Sequence, residues 1–203
     1  YPSGAPAIAA DQAALQGAAT IMVGPVGRDR FGRMCRDRLS ADGVDVSQVR
    51  TDLVAPTATA HVAYDASGGR DFVFTLKHSA ATGLVPDDLD AALFAGCRYL
   101  LVSGSTLFAP GPVAAVERAV ALARDAGAVL ALDLNVRAQL LDADGFAILA
   151  GLVAAAGILL AGHEDLASMA RHGVPVDPAA FVAARPGRLA LVKRGADGAT
   201  LLT

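Results

Sequence analysis

The sequence predicts an α/β protein: a parallel sheet layered between helices, with a small β insertion toward its N-terminal side. Three observations carry this. Short apolar runs bounded by turn residues alternate with helical stretches of about ten residues, and strands joined in that way pair in parallel. The composition, 54% hydrophobic and 18% charged, suits strands covered on both faces. The alternation breaks once, between Val44 and Ser79, where β-type segments stand in place of a helix.

Taken in order, Ala7 to Gln16 reads as an alanine-rich helix stopped by Gly17, and Thr20 to Gly24 as a buried strand. Phe31 to Ala41 reads as a helix, with Phe31, Met34, Cys35 and Leu39 at helical spacing. The segments "TATAHVAYD" and "RDFVFTL", joined by "ASGG", read as a hairpin with Phe72 and Phe74 on one face, Asp71 and Val73 on the other. Tyr99 to Ser103 is a strand, Pro112 to Asp125 a helix with proline in its first turn, and Val129 to Asp133 a strand. Gly145 to Gly162 carries no charge and is long enough for a membrane span. It is rich in alanine and glycine, however, and no Lys/Arg cluster or aromatic belt flanks it. It divides instead into a helix, Phe146 to Ala154, and a buried strand, Gly157 to Leu160. Helices over Glu164 to Arg171 and Pro178 to Ala184 and a strand over Leu189 to Lys193 complete the reading.

A net charge of −3 gives no basic footprint, so nucleic acid is not an expected partner, and no membrane is expected either. Cys35 and Cys97 are far apart, with no CxxC and no Cys/His cluster. They read as reduced thiols of a cytoplasmic protein.

Four stretches could carry chemistry. Ser3, Gly4 and Ala5 form a small-residue turn that opens a helix, so backbone N–H groups there can approach an oxygen-rich ligand closely. In "LDLNVR" the strand ends at Asp133, and Asn135 and Arg137 follow where ligands of open α/β sheets bind; arginine presents a fork suited to carboxylate or phosphate. "LAGHEDLASM" brings Asp165 to a helix start, and "KRGADG" places Lys193 before a tight turn at Gly195 and Gly198. Each also has a plain structural reading: a packing turn, a surface arginine, a helix-start acid, a hairpin without ligand. In "VGPVGRDRFGR" the structural reading comes first, with Asp29 capping the helix that carries Phe31.

Together, "SGAPAIAADQAALQGAATIMVGPVGRDRFGR", "GVDVSQV", "PTATAHVAYDASGGRDF", "LDLNVR" and "VKRGADGATLL" resemble, in order and spacing, the PfkB or ribokinase-like family of sugar kinases, its keto-deoxygluconate kinase and fructokinase branch. The resemblance implies a three-layer αβα ribokinase-like core in residues 1–43 and 80–203, with a β lid inserted over 44–79. It implies transfer of the γ-phosphate of ATP, with magnesium, to a hydroxyl of a monosaccharide or keto-deoxy sugar acid. Ser3, Gly4, Ala5, Phe72, Phe74, Asn135 and Arg137 would meet the sugar, Lys193, Gly195 and Gly198 the nucleotide, and Asp165 the metal. It further implies a homodimer formed through the lid.

The chain also departs from the family pattern. Ile8 stands where the family has a sugar-binding Asn, and Gly162 where it has the Asn of Asn-x-x-Glu. Phe74, Thr75 and Leu76 replace the paired Tyr and Arg of the keto-acid kinases, so a neutral hexose, ketose or nucleoside stays open as substrate. These departures motivate an alternative, a non-catalytic sugar- or nucleotide-binding relative. A nucleotide-dependent dehydrogenase is weaker, because no GxGxxG follows the first strand. The family's first strand and its Gly-Ala-Gly-Asp catalytic segment have no match here. The expectation is that the chain begins and ends within the family's domain, and that these 203 residues alone do not phosphorylate sugars.

Overall fold

A computed structural model describes residues 2–64 and 70–203, which form two compact units. The "ASGG" turn of the expected hairpin lies outside the described residues. The first unit holds the residues up to Asp88 together with Ala109–Pro112, and the second holds Leu89–Phe108 and Val113–Thr203.

In the first unit, α1 (Ala5–Leu15) starts behind Gly4, whose φ of 109° is a conformation only glycine adopts readily. It ends where Gly17, at φ 88°, turns the chain so that the Ala18 N–H donates to the Ala13 carbonyl. The strand expected over Thr20 to Gly24 is not regular. Ile21 makes one isolated parallel bridge to Asp45, and a continuous strand, β1 (Val26–Gly27), forms only after Gly24, whose φ of 147° leaves strand geometry. β1 pairs in parallel with β2 (Thr51–Asp52). Ala10, Leu39 and Val44 are buried together, with Ala7, Ala14, Met22 and Val46 packed against them.

Helix α2 (Arg30–Ala41) is capped as expected: Asp29 Oδ1 accepts from the Gly32 N–H at 2.8 Å. The same carboxylate also accepts the Thr57 N–H at 2.7 Å and the Thr57 hydroxyl at 2.8 Å, and that hydroxyl oxygen accepts the Gly27 N–H. These strands and helix meet so closely that a Cβ at Gly32 would lie 2.1 Å from the Gly27 carbonyl oxygen. The Thr57 backbone N–H, more than any other partner, holds the Asp29 carboxyl below the usual carboxylate range. A lowered folded-state value means that Asp29 contributes stability above its unfolded pKa, and that this contribution is lost as pH falls through the folded one. Thermal melts from pH 7 down to pH 3 should therefore show a steeper acid loss for the native protein than for Asp29→Asn. Parallel curves would count against this role.

Strands β3 (Thr59–Tyr64) and β4 (Arg70–Thr75) pair antiparallel, with Val62 opposite Phe72 and Ala60 opposite Phe74. The period of two puts these four on one face, and the Phe72 and Phe74 rings stack with centroids 5.8 Å apart.

The second unit is a five-stranded sheet: β5 (Tyr99–Ser103), β6 (Val129–Asp133), β7 (Ile158–Gly162), β8 (Leu189–Lys193) and β9 (Ala199–Leu202), paired in that order. The first four run parallel, and β9 returns antiparallel to β8. The connections carry α3 (Pro110–Asp125), α4 (Ala143–Ala155), α5 (His163–Arg171) and α6 (Pro178–Ala183). The uncharged stretch from Gly145 to Gly162 divides between α4 and β7 because its apolar residues are wanted in this core: Phe146, Leu149, Leu152 and Leu159 are all buried in it. Among the described residues, no helix is long and apolar enough to cross a membrane. Cys35 and Cys97 are free thiols.

One buried charge ties this layer down. The guanidinium of Arg188, 8% exposed, donates to the Ala154 carbonyl at the end of α4 and to the Phe181 carbonyl in α6, and lies 4.4 Å over the Phe181 ring. The negative ends of two helices thus face one cation, which has no carboxylate partner within 4 Å among the described residues. Burial, and secondly the charge of Arg185, lowers its pKa.

Candidate active site

The carboxyl ends of β5 to β8 stand side by side, ending at Ser103, Asp133, Gly162 and Lys193. Lys193 reaches across the end of β7 to Asp133, Nζ to Oδ1 2.7 Å, over Gly162, which has no side chain to obstruct it. Beyond Lys193 the chain turns back through Gly195 and Gly198, at φ 60° and 84°, closed by the Arg194 N–H donating to the Gly198 carbonyl at 2.7 Å. Both glycines are exposed, with open space where a Cβ would project, so a bulky anion can approach their backbone.

The connection after β6 is held from both sides. Asn135 takes a left-handed φ of 33°, the sole non-glycine to do so among the described residues. Its Nδ2 donates to Ser103 Oγ at 3.0 Å and to Ser105 Oγ at 3.2 Å, and the two hydroxyls lie 2.9 Å apart. Gly104 between them presses on the Leu134 carbonyl so closely that a Cβ would sit 2.1 Å from its oxygen. From the other side, Asp165 accepts the Val136 N–H on Oδ1 and the Gly162 N–H on Oδ2, each at 2.8 Å. Arg137 follows at once, half-buried, with Nη1 on the Val136 carbonyl at 3.3 Å.

Of the residues singled out from sequence, Asn135, Arg137, Asp165 and Lys193 thus gather at one end of the second unit. Ser3, Gly4, Ala5, Phe72 and Phe74 belong to the first. There Ser3 and Gly4 are exposed ahead of α1, which has no side-chain cap, so its first-turn N–H groups stay available to an oxygen ligand. Ile8 is 51% exposed one turn further on. Ser103, Gly104 and Ser105 were not anticipated. The only hint in the sequence is "SGS" directly after a strand. His172 stacks on Phe146 at 3.9 Å, and among the described residues no group of three His, Cys, Asp or Glu could hold a metal ion.

A sheet whose parallel strands all present polar residues and glycine turns at one end is the form of an α/β ligand-binding enzyme. The match to the family described as "pfkB family carbohydrate kinase" extends over residues 1–203, and the chain belongs to that family. Over 139 residues, 68% of the chain, it is 35% identical to a fructokinase of Klebsiella pneumoniae and 37% identical to fructokinase-1 of Zea mays. Those matches span 45% and 43% of the two relatives, so less than half of their length is represented. Among solved structures, a ribokinase II-type protein of E. coli is 31% identical, with a TM-score of 0.89 over 100% of this chain and 66% of its own. A fructokinase of Xylella fastidiosa superposes at 0.86 with 26% identity, over 99% of this chain and 66% of its own. The fold is therefore ribokinase-like α/β, with a mostly parallel central sheet.

Proposed function

We propose that the protein containing this chain transfers the γ-phosphate of ATP, with magnesium, to a hydroxyl of a monosaccharide or keto-deoxy sugar acid. The observation that carries the reading is the clamped Asn135–Arg137 connection, which sets an amide and a guanidinium at the carboxyl end of the sheet. Support for the co-substrate comes from relatives: the E. coli ribokinase II-type protein was solved with ATP and Mg2+, and a Vibrio cholerae fructokinase with fructose, ADP and calcium. Lys193 and the open turn at Gly195 and Gly198 fit a polyphosphate, an exposed cation beside accessible backbone. Magnesium fits only as an ion that arrives with the nucleotide. Asp165 already accepts two backbone N–H groups and, among the described residues, no cage of three ligands surrounds it, whereas magnesium is commonly held by one or two carboxylates and the substrate's own phosphates.

In this reading the Ser3–Gly4–Ala5 turn and the Phe72 and Phe74 rings meet the sugar, and Asn135 and Arg137 meet its hydroxyls or acid group. The lid over residues 44–79 joins two copies near residues 58–75, because the open edge of a small sheet invites pairing with a second copy. Sedimentation of the full-length protein at micromolar concentration is expected to give a dimer, and a monomer would refute the lid interface. Localisation is proposed to be cytoplasmic, with neither nucleic acid nor membrane as partner.

The test is ATP-dependent phosphorylation by the full-length gene product over a panel including fructose, ribose and 2-keto-3-deoxygluconate. No turnover on any of them, with ATP also failing to bind, sinks the proposal. If an acid is the substrate, Arg137→Ala should raise its KM about 10- to 100-fold, the loss expected for one charge-assisted contact, and leave KM for neutral sugars unchanged. A second reading, sugar binding without turnover, is favoured by the exposed Ile8, where the family resemblance calls for a polar ligand. Calorimetric sugar binding in the absence of turnover would select it.

A further inference from the structure

We propose that Ser103 and Ser105 are positioning residues of the sugar site, holding Asn135 in its left-handed conformation and so fixing the direction in which Arg137 leaves the sheet. The inference rests on the reading of Asn135 and Arg137 as sugar ligands. A left-handed asparagine is strained and persists where its surroundings over-determine it. Here the surroundings are specific. Both Asn135 amide hydrogens have acceptors, Ser103 Oγ at 3.0 Å and Ser105 Oγ at 3.2 Å, each some thirty residues away on another strand end. The two hydroxyls are bonded to each other at 2.9 Å, so neither can be lost without loosening the other. Ser103 is 1% exposed, too deep to meet a ligand itself, which separates its role from that of a binding residue.

The clamp has a second jaw. The Asp165 carboxylate, in the first turn of α5, holds the Val136 N–H, so the two residues before Arg137 are tied to different elements, Asn135 to the end of β5 and Val136 to α5. With both jaws in place the backbone between Leu134 and Val136 has no freedom to rotate, and the guanidinium begins from a fixed point. With the serine jaw removed, Asn135 can relax to a right-handed conformation, which swings the following peptide and carries Arg137 away from a substrate placed to meet it. Displacements of this size matter, because an ångström of misplacement can cost a large factor in a reaction that depends on positioning.

The experiment compares full-length native protein with Ser103→Ala, Ser105→Ala and the double variant, with Ser105→Thr as a variant that keeps the hydroxyl. Hydrogen exchange over residues 134–138 reads the tether without any turnover. We expect faster exchange in the double variant, smaller changes in the single ones and native behaviour in Ser105→Thr. Kinetics read the consequence: KM for the sugar rises about fivefold for each serine lost, while KM for ATP is unchanged and Ser105→Thr restores the native value. Native exchange over 134–138 in the double variant overturns the proposal. So does a melting temperature that falls while KM for the sugar stays constant, since that is the mark of a merely structural pair. Failure of the kinase reading itself is a different result: no phosphorylation by the native protein, whatever the exchange data show.

Discussion

Gly104→Ala is expected to destabilise the second unit by roughly 3 kcal/mol or more and to raise KM for the sugar in whatever protein survives. The size follows from a distance. An alanine Cβ at this position would stand 2.1 Å from the Leu134 carbonyl oxygen and 3.2 Å from Leu149 Cδ1. Neither neighbour is free to yield: Leu134 and Leu149 are fully buried, and the Leu134 N–H is itself bonded to the Leu160 carbonyl. Strand β5 must therefore move away from the β6 exit, which breaks the hydrogen bonds from Asn135 to Ser103 and Ser105 at the same time. Chemical unfolding and sugar KM should change together. Native stability in Gly104→Ala would show that the Leu134 peptide can turn aside and that the close approach is not a constraint.

Arg188→Ala should cost about 2–4 kcal/mol, and Arg188→Met distinctly less. Two opposing effects decide the difference. Removing the side chain leaves the buried Phe181 carbonyl and the Ala154 carbonyl without this donor and strips the Phe181 ring of its cover. Against that, the guanidinium is held in an environment that disfavours its charge, and its Nε has no partner among the described residues. Methionine keeps the cover and sheds the burdened charge, so it isolates the loss of the two hydrogen bonds. Urea midpoints for the three proteins measure both terms. If methionine proved as damaging as alanine, packing over Phe181 would be the lesser term and the helix-end bonds the greater.

Much of the second unit was legible in the sequence because its strands advertise themselves. "YLLVS", "VLALD" and "LALVK" are uninterrupted apolar runs closed by polar or turn residues, and each has the expected ends. The Asp29 cap was legible for a similar reason, since a capping carboxylate acts three residues away. Thr20 to Gly24 looked the same and was not a regular strand. Its apolar run contains Gly24 ahead of Pro25, and the backbone there departs from strand geometry before pairing becomes continuous at Val26. In the candidate site, Asn135, Arg137 and Lys193 could be singled out because they stand at or just after a strand end. Ser103 and Ser105 could not. A serine after a strand is unremarked until its partner is known, and Asn135 lies 32 and 30 residues further along. Arg188 was hidden in the same way, one cation in a loop whose second acceptor lies 34 residues back.

The order of strands in the second unit, β5 through β9 without a reversal, bears on how that unit comes into being. Paired residues on neighbouring parallel strands are close in sequence: Tyr99 meets Val129, Ala131 meets Ile158, and Ile158 meets Leu189. Each new strand needs only the one synthesised before it, so loop-closure entropy is met in equal, modest instalments rather than in one long closure. A chain emerging from its N-terminal side can therefore extend this sheet at a single growing edge as it is made, and the antiparallel turn adds β9 after a gap of only five residues.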